Sequence, residues 1–150
     1  MQRRLAREKA MQTLFQIDVG RHRPEKAITF ITENRELTEG GKEFARRLVL
    51  GAIENLKTID SLIDKYSGEW DLQRLANVDR NILRLATYEM LFEKDIPFSV
   101  SINEAVELAK TFGSDESGSF VNGILDSVGQ EIETEGLSEK GDESETGPGY

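Results

Sequence analysis

The chain has 150 residues, a formal net charge of −9 and no cysteine. This length suits one compact domain, and the lack of cysteine excludes disulfides, thiolate metal sites and cysteine nucleophiles. No apolar run approaches the roughly 20 residues of a membrane span and no signal-peptide core follows Met1, so we expect a cytoplasmic protein that does not bind membranes.

The apolar residues recur at helical spacing along almost the whole chain, and no segment alternates convincingly with period two. The pattern therefore predicts an all-α fold. Seven helices are predicted, approximately over Arg3–Val19, Pro24–Asn34, Glu39–Leu56, Thr58–Tyr66, Trp70–Phe92, Ser101–Phe112 and Glu116–Val128. The fifth carries the strongest apolar signal, which is typical of a central helix that packs on several sides.

The sixth helix has the clearest predicted start. Ile96-Pro97 interrupts the preceding segment, because a residue before proline avoids the helical region. Ser101 and Glu104 then have the spacing of a capping box, in which the hydroxyl and the carboxylate accept hydrogen bonds from backbone N–H groups. This interpretation assigns both side chains to helix capping.

The C-terminal segment differs from the rest in composition. Residues Gly129–Tyr150 contain seven acidic residues, one lysine and few large apolar residues. Such a segment cannot bury enough apolar surface to offset the entropy lost on ordering. The sequence therefore predicts a helical domain over residues 1–128 and an acidic disordered tail over residues 129–150.

The sequence offers little support for catalysis. His22 is the only histidine, and it lies in a basic loop where solvent exposure is expected. Gly113 and Gly118 have the spacing of a phosphate-binding loop, but Ser119-Phe120 stand where such a loop has lysine and a hydroxyl residue. We interpret this segment as a turn between two helices. The chain is predicted to be no enzyme and to have no metal site and no cofactor.

The first helix carries the most informative pattern. Its N-terminal half carries four basic residues and one acidic residue, Glu8; the basic residues are Arg3, Arg4, Arg7 and Lys9. Salt screens distant charges, so this local excess matters more for binding than the negative total. At 100° per residue, one stripe beside the core stripe contains Arg4, Arg7, Met11 and Phe15. Guanidinium groups bind phosphates and aromatic rings stack on bases, so the stripe favours single-stranded RNA binding. The alternative is an ordinary basic helix whose Phe15 belongs to the core.

Three segments carry motifs that point to one family. They are RRLAREKAMQTLF at Arg3–Phe15, DRNILRLATYE at Asp79–Glu89, and INEAVELAK at Ile102–Lys110, which continues to FVNGILD at Phe120–Asp126. In these motifs and their spacing, the chain from about Arg3 to Val128 resembles the NusB family of transcription antitermination factors.

The resemblance implies a fold and a function. The fold is a compact bundle of about seven helices in two subdomains. The function is binding to the boxA element of nascent single-stranded RNA, as a heterodimer with NusE, a small-subunit ribosomal protein. This heterodimer would act in the RNA polymerase antitermination complex and promote processive transcription of ribosomal RNA operons. The resemblance implies no catalysis.

The resemblance also implies which residues contact RNA. Five of them match the family's arginine-rich segment and its aromatic residues at the RNA surface, namely Arg3, Arg4, Arg7, Phe15 and Phe120. Ser119 stands where some relatives carry a basic residue, and Glu116 matches an acidic position near the RNA. Both are expected to weaken RNA affinity. The alternative for Phe120 is a place in the core.

A second set of residues would contact the partner. Asp79 matches an acidic residue at the NusE contact, and Arg80 and Tyr66 are candidate neighbours in that interface. The alternative for Asp79 is an ion pair at the surface. No local motif separates these possibilities.

Two other functions stay open. NusB-like domains also occur fused to RNA cytosine methyltransferase domains, so the chain could be an accessory domain of an rRNA methyltransferase. The chain contains no cofactor-binding βαβ unit and no cysteine, which favours a free-standing protein. The other alternative is a helical protein-interaction module without RNA binding. Salt-dependent RNA affinity separates such a module from an RNA-binding protein, because phosphate contacts weaken as salt rises.

Overall fold

A computed structural model describes residues 2–68 and 74–137, and the regular secondary structure in these ranges is helical. This confirms the predicted all-α fold. The helical segments are α1 (Arg3–Asp18), α2 (Pro24–Ala27), α3 (Thr29–Thr32), α4 (Glu39–Glu54), α5 (Leu56–Tyr66), α6 (Asn77–Phe92), α7 (Phe98–Phe112) and α8 (Ser117–Glu135). Only Ile28 separates α2 from α3, so these eight segments correspond to the seven predicted helices.

The predicted second helix is interrupted at Ile28. Pro24 occupies the first position of α2, where its fixed φ suits a helix start. One turn later the Thr29 hydroxyl donates a hydrogen bond of 2.6 Å to the carbonyl oxygen of Lys26. Such side-chain bonds to the backbone compete with the regular helical pattern. The short α3 that follows carries Phe30 at the surface.

The central helix is α6. Every residue from Asp79 to Leu91 is buried, and α6 packs against α1, α4, α5, α7 and α8. The contact with α4 is closest at Gly51, where an added Cβ would lie 2.2 Å from a ring carbon of Tyr88. Glycine is required there because any side chain would collide with that ring.

The helices form two groups around α6. In the first group α1, α3 and α4 pack on one another, and in the second α5, α6, α7 and α8 do so. The two groups meet because α1 and α4 both pack against α6. This arrangement confirms the expected bundle of two subdomains. Among the described residues, none of the helices has the length and apolar character needed to cross a bilayer.

The predicted start of the sixth helix is wrong by one turn. This helix, α7, begins at Phe98, and extended Pro97 precedes it without a capping side chain. Ser101 therefore lies inside the helix, where its hydroxyl donates a hydrogen bond of 3.0 Å to buried Glu89. Glu104 binds Arg4 instead of a backbone N–H group. The proline ends the preceding segment and also begins the next helix, so the capping-box spacing is coincidental.

The predicted end of the last helix is also wrong. The helix, α8, continues past Val128 to Glu135 and ends at Gly136, which has a left-handed φ of 64°. Gly129 does not end the helix, since it packs inside the bundle near Phe98 and Met90. The disordered tail predicted for residues 129–150 therefore cannot begin at 129. Its residues 138–150 lie outside the described residues.

The predicted fifth helix begins later than its apolar signal suggested. Residues 69–73 lie outside the described residues, and α6 begins only at Asn77. The segment from Arg74 to Ala76 leads into it, with Leu75 buried. An apolar residue near a helix start can thus join the core without being helical.

Candidate functional site

The N-terminal end of α1 carries two arginines whose carboxylate partners lie about 90–100 residues later in the chain, just before α7 and inside it. Arg4 forms a bidentate pair with Glu104, with Nε–Oε1 at 3.0 Å and Nη2–Oε2 at 2.7 Å. The Arg4 side chain is nevertheless 73% exposed. Arg3 reaches Asp95, with Nη2–Oδ2 at 2.9 Å, and is about one-third exposed. Exposed pairs of this kind contribute little to stability, so an incoming anion can replace the carboxylates.

Arg7 lies inside the protein, which corrects its predicted place on an RNA-contacting stripe. Its Nε and Nη2 bind the two Glu89 carboxylate oxygens at 2.8 and 2.9 Å, and both side chains are buried. The Ser101 hydroxyl donates a third hydrogen bond to the same carboxylate. Arg7 thus joins α1 to α6 and α7. It can position the basic end of α1, but it cannot reach a ligand at the surface.

A ring of guanidinium groups surrounds the buried Phe44 of α4. The guanidinium carbons of Arg3, Arg7 and Arg47 lie 4.8, 5.4 and 5.3 Å from the ring centroid. Arg47 also forms a bidentate pair with Glu93, at 2.9 and 2.8 Å. Neither Phe44 nor Arg47 was identifiable from the sequence as part of this cluster, because both come from a different helix and neither belongs to a recognisable local motif.

The carboxylates balance this cluster. Four arginines meet four acidic side chains there, namely Glu89, Glu93, Asp95 and Glu104. The hydrogen bond from Arg4, with the nearby charges of Arg4 and Arg7, outweighs partial burial and lowers the pKa of Glu104. The hydrogen bond from Arg3 likewise lowers the pKa of Asp95. The basic excess expected from the sequence is therefore largely neutralised in the folded chain.

An aromatic groove lies beside the second half of α1. We use this name for the hollow lined by Met11, Gln12, Phe15, Gln16, Phe30, Val78 and Phe112. Phe15 is half-buried here, at the surface side of α1. Phe15 is therefore partly open to solvent, and its contact with RNA stays a prediction. Phe30 was not identified from the sequence, because the break at Ile28 that presents it leaves no mark in the apolar spacing.

A second hollow brings together residues that the sequence assigned to different ligands. We call it the Asp79 hollow, and it is lined by Arg74, Leu75, Ala76, Asp79, Ser114, Glu116, Ser117 and Phe120. Phe120 also packs against the core, so its two interpretations are compatible. Ser119 is exposed on α8 next to it. Asp79 is only 7% exposed and is not the surface ion pair considered above.

Asp79, which lines this hollow, also has an unsatisfied carboxylate oxygen. Its carboxylate oxygen Oδ1 is buried and accepts no hydrogen bond. Leaving such an oxygen without a donor costs free energy, and such atoms in folded proteins call for a physical explanation. A ligand group that carries a hydrogen-bond donor would remove this cost. The geometry therefore favours a bound donor at the Asp79 hollow.

Arg80 and Tyr66 do not join Asp79 at one surface. Arg80 is buried, and it binds Asp18 of α1 through Nε and Nη2 at 2.9 and 2.7 Å. Burial raises the pKa of Asp18, but hydrogen bonds from Arg80 and Asn81 outweigh it and lower the pKa overall. Arg80 therefore holds α1 against α6 and cannot present its guanidinium to a partner.

Tyr66 lies at a different surface, between α5 and α8. Its hydroxyl donates a hydrogen bond to Glu131, whose carboxylate also pairs with Lys65 at 2.8 Å. The hydrogen bond to Glu131 and partial desolvation raise the pKa of Tyr66. The expected grouping of Tyr66 with Asp79 is thus not borne out by their positions, since each lines its own hollow.

The features considered for catalysis do not assemble into a site. His22 is exposed, and the Gly113–Gly118 segment contains the predicted turn between α7 and α8, which spans residues 113–116, with Gly118 already inside α8. The Ser114 N–H donates to the Ser117 hydroxyl in that turn, at 2.9 Å. Over residues 2–68 and 74–137, no group of three or more histidine or acidic side chains is placed to hold a metal ion.

Comparison with known proteins decides the family. The family model described as the NusB family matches residues 4–130, which is most of the chain. The chain belongs to the NusB family. It is 54% identical over 125 residues to a transcription antitermination protein NusB of Pelotomaculum thermopropionicum, across 83% of this chain and 87% of that protein. It is 50% identical over 133 residues to the Bacillus licheniformis protein of the same name, across 89% and 100%.

Solved NusB structures have the same fold. The T. maritima NusB structure has a TM-score of 0.80 and 47% identity, and the match covers 87% of this chain and 92% of that one. A chain from a crystal structure of antitermination factors NusB and NusE in complex with dsRNA has a TM-score of 0.78 and 29% identity, across 87% and 99%. Membership in the NusB family confirms the resemblance seen in the motifs, and a NusB-type antitermination protein is not an enzyme.

Proposed function

We propose that this NusB-family chain binds boxA-type single-stranded RNA together with NusE. In this role it promotes processive transcription of ribosomal RNA operons within the RNA polymerase antitermination complex. The observation that carries the proposal is the exposed Arg4 on the same helix as the aromatic groove. The similar NusB chain that is solved with NusE and RNA supports both partners.

Arg3 and Arg4 are the proposed phosphate ligands. A phosphate offers the same bidentate geometry to a guanidinium as the carboxylate of Glu104 does. Exchange of one anion for the other loses little, because the Arg4–Glu104 pair lies at the surface. Arg7 takes a positioning role, since its buried pair with Glu89 orients the first turn of α1.

The aromatic residues favour a single strand. A half-buried ring such as Phe15 can stack on a base only when that base is released from its own neighbours. Bases inside a duplex are already stacked and present only their edges. We therefore propose an unpaired segment as the RNA bound here, although the solved relative was crystallised with double-stranded RNA.

The Asp79 hollow is the proposed contact with NusE. A donor from the partner would satisfy the buried Oδ1 of Asp79, and Phe120 offers an apolar wall beside it. Glu116, which lines the same hollow, and exposed Ser119 add no positive charge that would favour RNA. Arg80 contributes indirectly, by fixing α6 against α1, and Tyr66 is proposed as a separate partner contact.

The RNA part of the proposal is tested by binding measurements with a boxA-type RNA, with and without NusE. The test variant carries Arg3→Ala and Arg4→Ala. The control variant carries Arg46→Ala and Lys57→Ala, which removes two exposed positive charges from α4 and α5. We expect tighter binding with NusE, and a loss of affinity in the test variant only. The slope of log affinity against log salt should fall by roughly 0.7 for each phosphate contact that is lost.

The outcomes separate the candidate functions. If wild type binds NusE but no RNA at any salt concentration, the chain is a protein-interaction module and the proposed RNA function is wrong. If test and control variants lose RNA affinity equally, binding depends on overall charge and the assignment to Arg3 and Arg4 is wrong. Circular dichroism of each variant checks that the helical content is retained.

The partner contact is tested by Asp79→Asn. This change keeps the shape of the side chain and one acceptor oxygen but removes the negative charge, so a hydrogen bond donated by NusE becomes weaker. We expect NusE affinity to fall by roughly tenfold, and the Asp126→Asn control on the exposed face of α8 to bind normally. Normal NusE binding by Asp79→Asn would show that NusE contacts a different part of the chain.

A further inference from the structure

Phe30 is exposed on a one-turn helix and lines the aromatic groove. It is 36% exposed, whereas Phe112 and Val78 on the opposite side of the groove pack against the core. About one-third of Phe30 is thus open to solvent and to a ligand. Phe30 and Phe15 together give the groove aromatic residues on both α1 and α3.

We propose that the aromatic groove binds one unstacked nucleobase of the RNA, and that Phe30 supplies a stacking surface for it together with Phe15. This inference rests on the proposed RNA-binding function. It adds a base-binding residue that no motif of the sequence indicated. The groove would thereby hold the base on which Phe15 is proposed to stack, in addition to the phosphates held by the arginines.

The lining of the groove has the chemistry of a base site. Aromatic side chains stack on any base, and the amides of Gln12 and Gln16 can donate to and accept from the polar edge of a base. The groove has a volume of about 410 Å³, which is within the range of small-molecule sites of about 300–1,000 Å³. One planar ring system can therefore enter it.

The surroundings of Phe30 favour a nucleic acid as the ligand. The Lys9 Nζ lies over the Phe30 ring at 5.8 Å from its centroid. A neighbouring hollow shares Gln16 and Phe30 with the groove and is also lined by Lys26, His22 and one acidic residue, Glu33. Positive side chains next to an aromatic surface are what a base with its attached phosphate requires.

The groove is also continuous with the proposed phosphate ligands. Arg4 and Phe15 are separated by eleven residues on α1, which corresponds to roughly 16 Å along the helix axis. A single strand can cross this distance with a few nucleotides. The strand would then have its phosphates at Arg3 and Arg4 and one of its bases in the groove.

The test combines a protein variant with modified RNAs. Phe30→Ala is compared with wild type and with Leu50→Ala, an exposed apolar residue of α4 that serves as the matched control. Each protein is titrated with the boxA-type RNA and with a series in which one nucleotide at a time lacks its base. We expect Phe30→Ala to weaken binding of the intact RNA by roughly 5- to 150-fold, with the salt slope unchanged, because stacking involves no phosphate. Phe30→Tyr should restore affinity.

The abasic series identifies the base. Removing the base at one RNA position should lower the affinity of wild type but should not lower the affinity of Phe30→Ala further. The reason is that the base and the Phe30 ring form one contact, which can be lost only once. Equal RNA affinity of wild type and Phe30→Ala would overturn the inference, as would abasic losses that are the same in both proteins. Loss of NusE binding with normal RNA affinity would also overturn it and make the groove a protein contact.

Failure of this inference is distinguishable from failure of the proposed function. If the Arg3→Ala, Arg4→Ala variant loses RNA and Phe30→Ala does not, only the nucleobase site is wrong. If wild type shows no salt-dependent RNA binding with or without NusE, both are wrong.

Discussion

Two arginines one turn apart on α1 form nearly the same bond in different surroundings. Arg4 pairs with Glu104 and Arg7 with Glu89, each with two hydrogen bonds between 2.7 and 3.0 Å. The Arg7 pair is 4% and 1% exposed, whereas the Arg4 side chain is 73% exposed. Bond geometry therefore does not separate them, but access to solvent does.

The difference assigns different functions to the two arginines. Removing one partner of a buried pair leaves an uncompensated charge inside the protein, which is strongly destabilising. Solvent screens an exposed pair and competes with it, so little is lost when a new anion replaces the carboxylate. We infer that Arg7 holds α1 in place and that Arg4 is available for exchange with phosphate.

The largest effect is expected at the buried pair. Arg7→Ala leaves the buried Glu89 carboxylate without its cation and with the Ser101 hydroxyl as its remaining side-chain donor, so the free energy of unfolding should fall by about 3–5 kcal/mol. Urea denaturation measures the change. The double variant Arg7→Met, Glu89→Leu removes both charges and should recover most of the loss. A loss below about 1 kcal/mol in Arg7→Ala would contradict the structural role of the pair.

The next effect concerns Arg4. Arg4→Ala should leave the urea midpoint almost unchanged, because its side chain is exposed, and should weaken boxA RNA binding by roughly tenfold. The salt slope should fall by roughly 0.7, as for the loss of one phosphate contact on a single strand. If Arg4→Ala reduces the stability and leaves the RNA affinity unchanged, Arg4 has the structural role that we assign to Arg7, and our assignment is wrong.

A smaller effect of opposite sign is expected at Glu104. Glu104→Gln removes the charge that competes with phosphate for Arg4, so RNA affinity should rise by roughly two- to fivefold at low salt. Glu107→Gln, one turn along α7, makes the same change in net charge and serves as the control. Equal gains in both variants would show a general charge effect and no specific competition.

The smallest effect is a pH dependence of stability. Because Arg4 lowers the pKa of Glu104 below its ordinary value of 4.5, the pair stabilises the fold above that value. This contribution is lost as the pH falls through the lowered pKa. Between about pH 5 and pH 3, Arg4→Ala should therefore lose less stability than wild type. Identical pH profiles for the two proteins would show that the pair does not form in solution.

The helices were largely predictable from the sequence because helical periodicity is a local property. The burial of Arg7 was not, since its carboxylate partner lies 82 residues away, and the partner of Arg4 lies 100 residues away. A helical projection places Arg4 and Arg7 on one stripe and carries no information on what packs against it. Only the position of α6 and α7 decides which arginine is covered.

The two errors at helix ends have different causes. Ser101 and Glu104 match a capping box, but the helix begins at Phe98 because Pro97 already provides a suitable start. Gly129 resembles a helix end, yet tertiary packing against Phe98 and Met90 keeps it inside α8. In the first case a neighbouring proline sets the start of the helix, and in the second a tertiary contact lets the helix continue.

The most direct test of the account follows the arginine side chains themselves. The Nε–H signals of ¹⁵N-labelled protein are recorded during titration with boxA-type RNA and assigned with the Arg4 and Arg7 variants. The account predicts that the Arg4 signal shifts as RNA replaces Glu104, while the Arg7 signal, held by Glu89, stays in place. A shift at Arg7 with none at Arg4, in a sample that binds RNA, would contradict it.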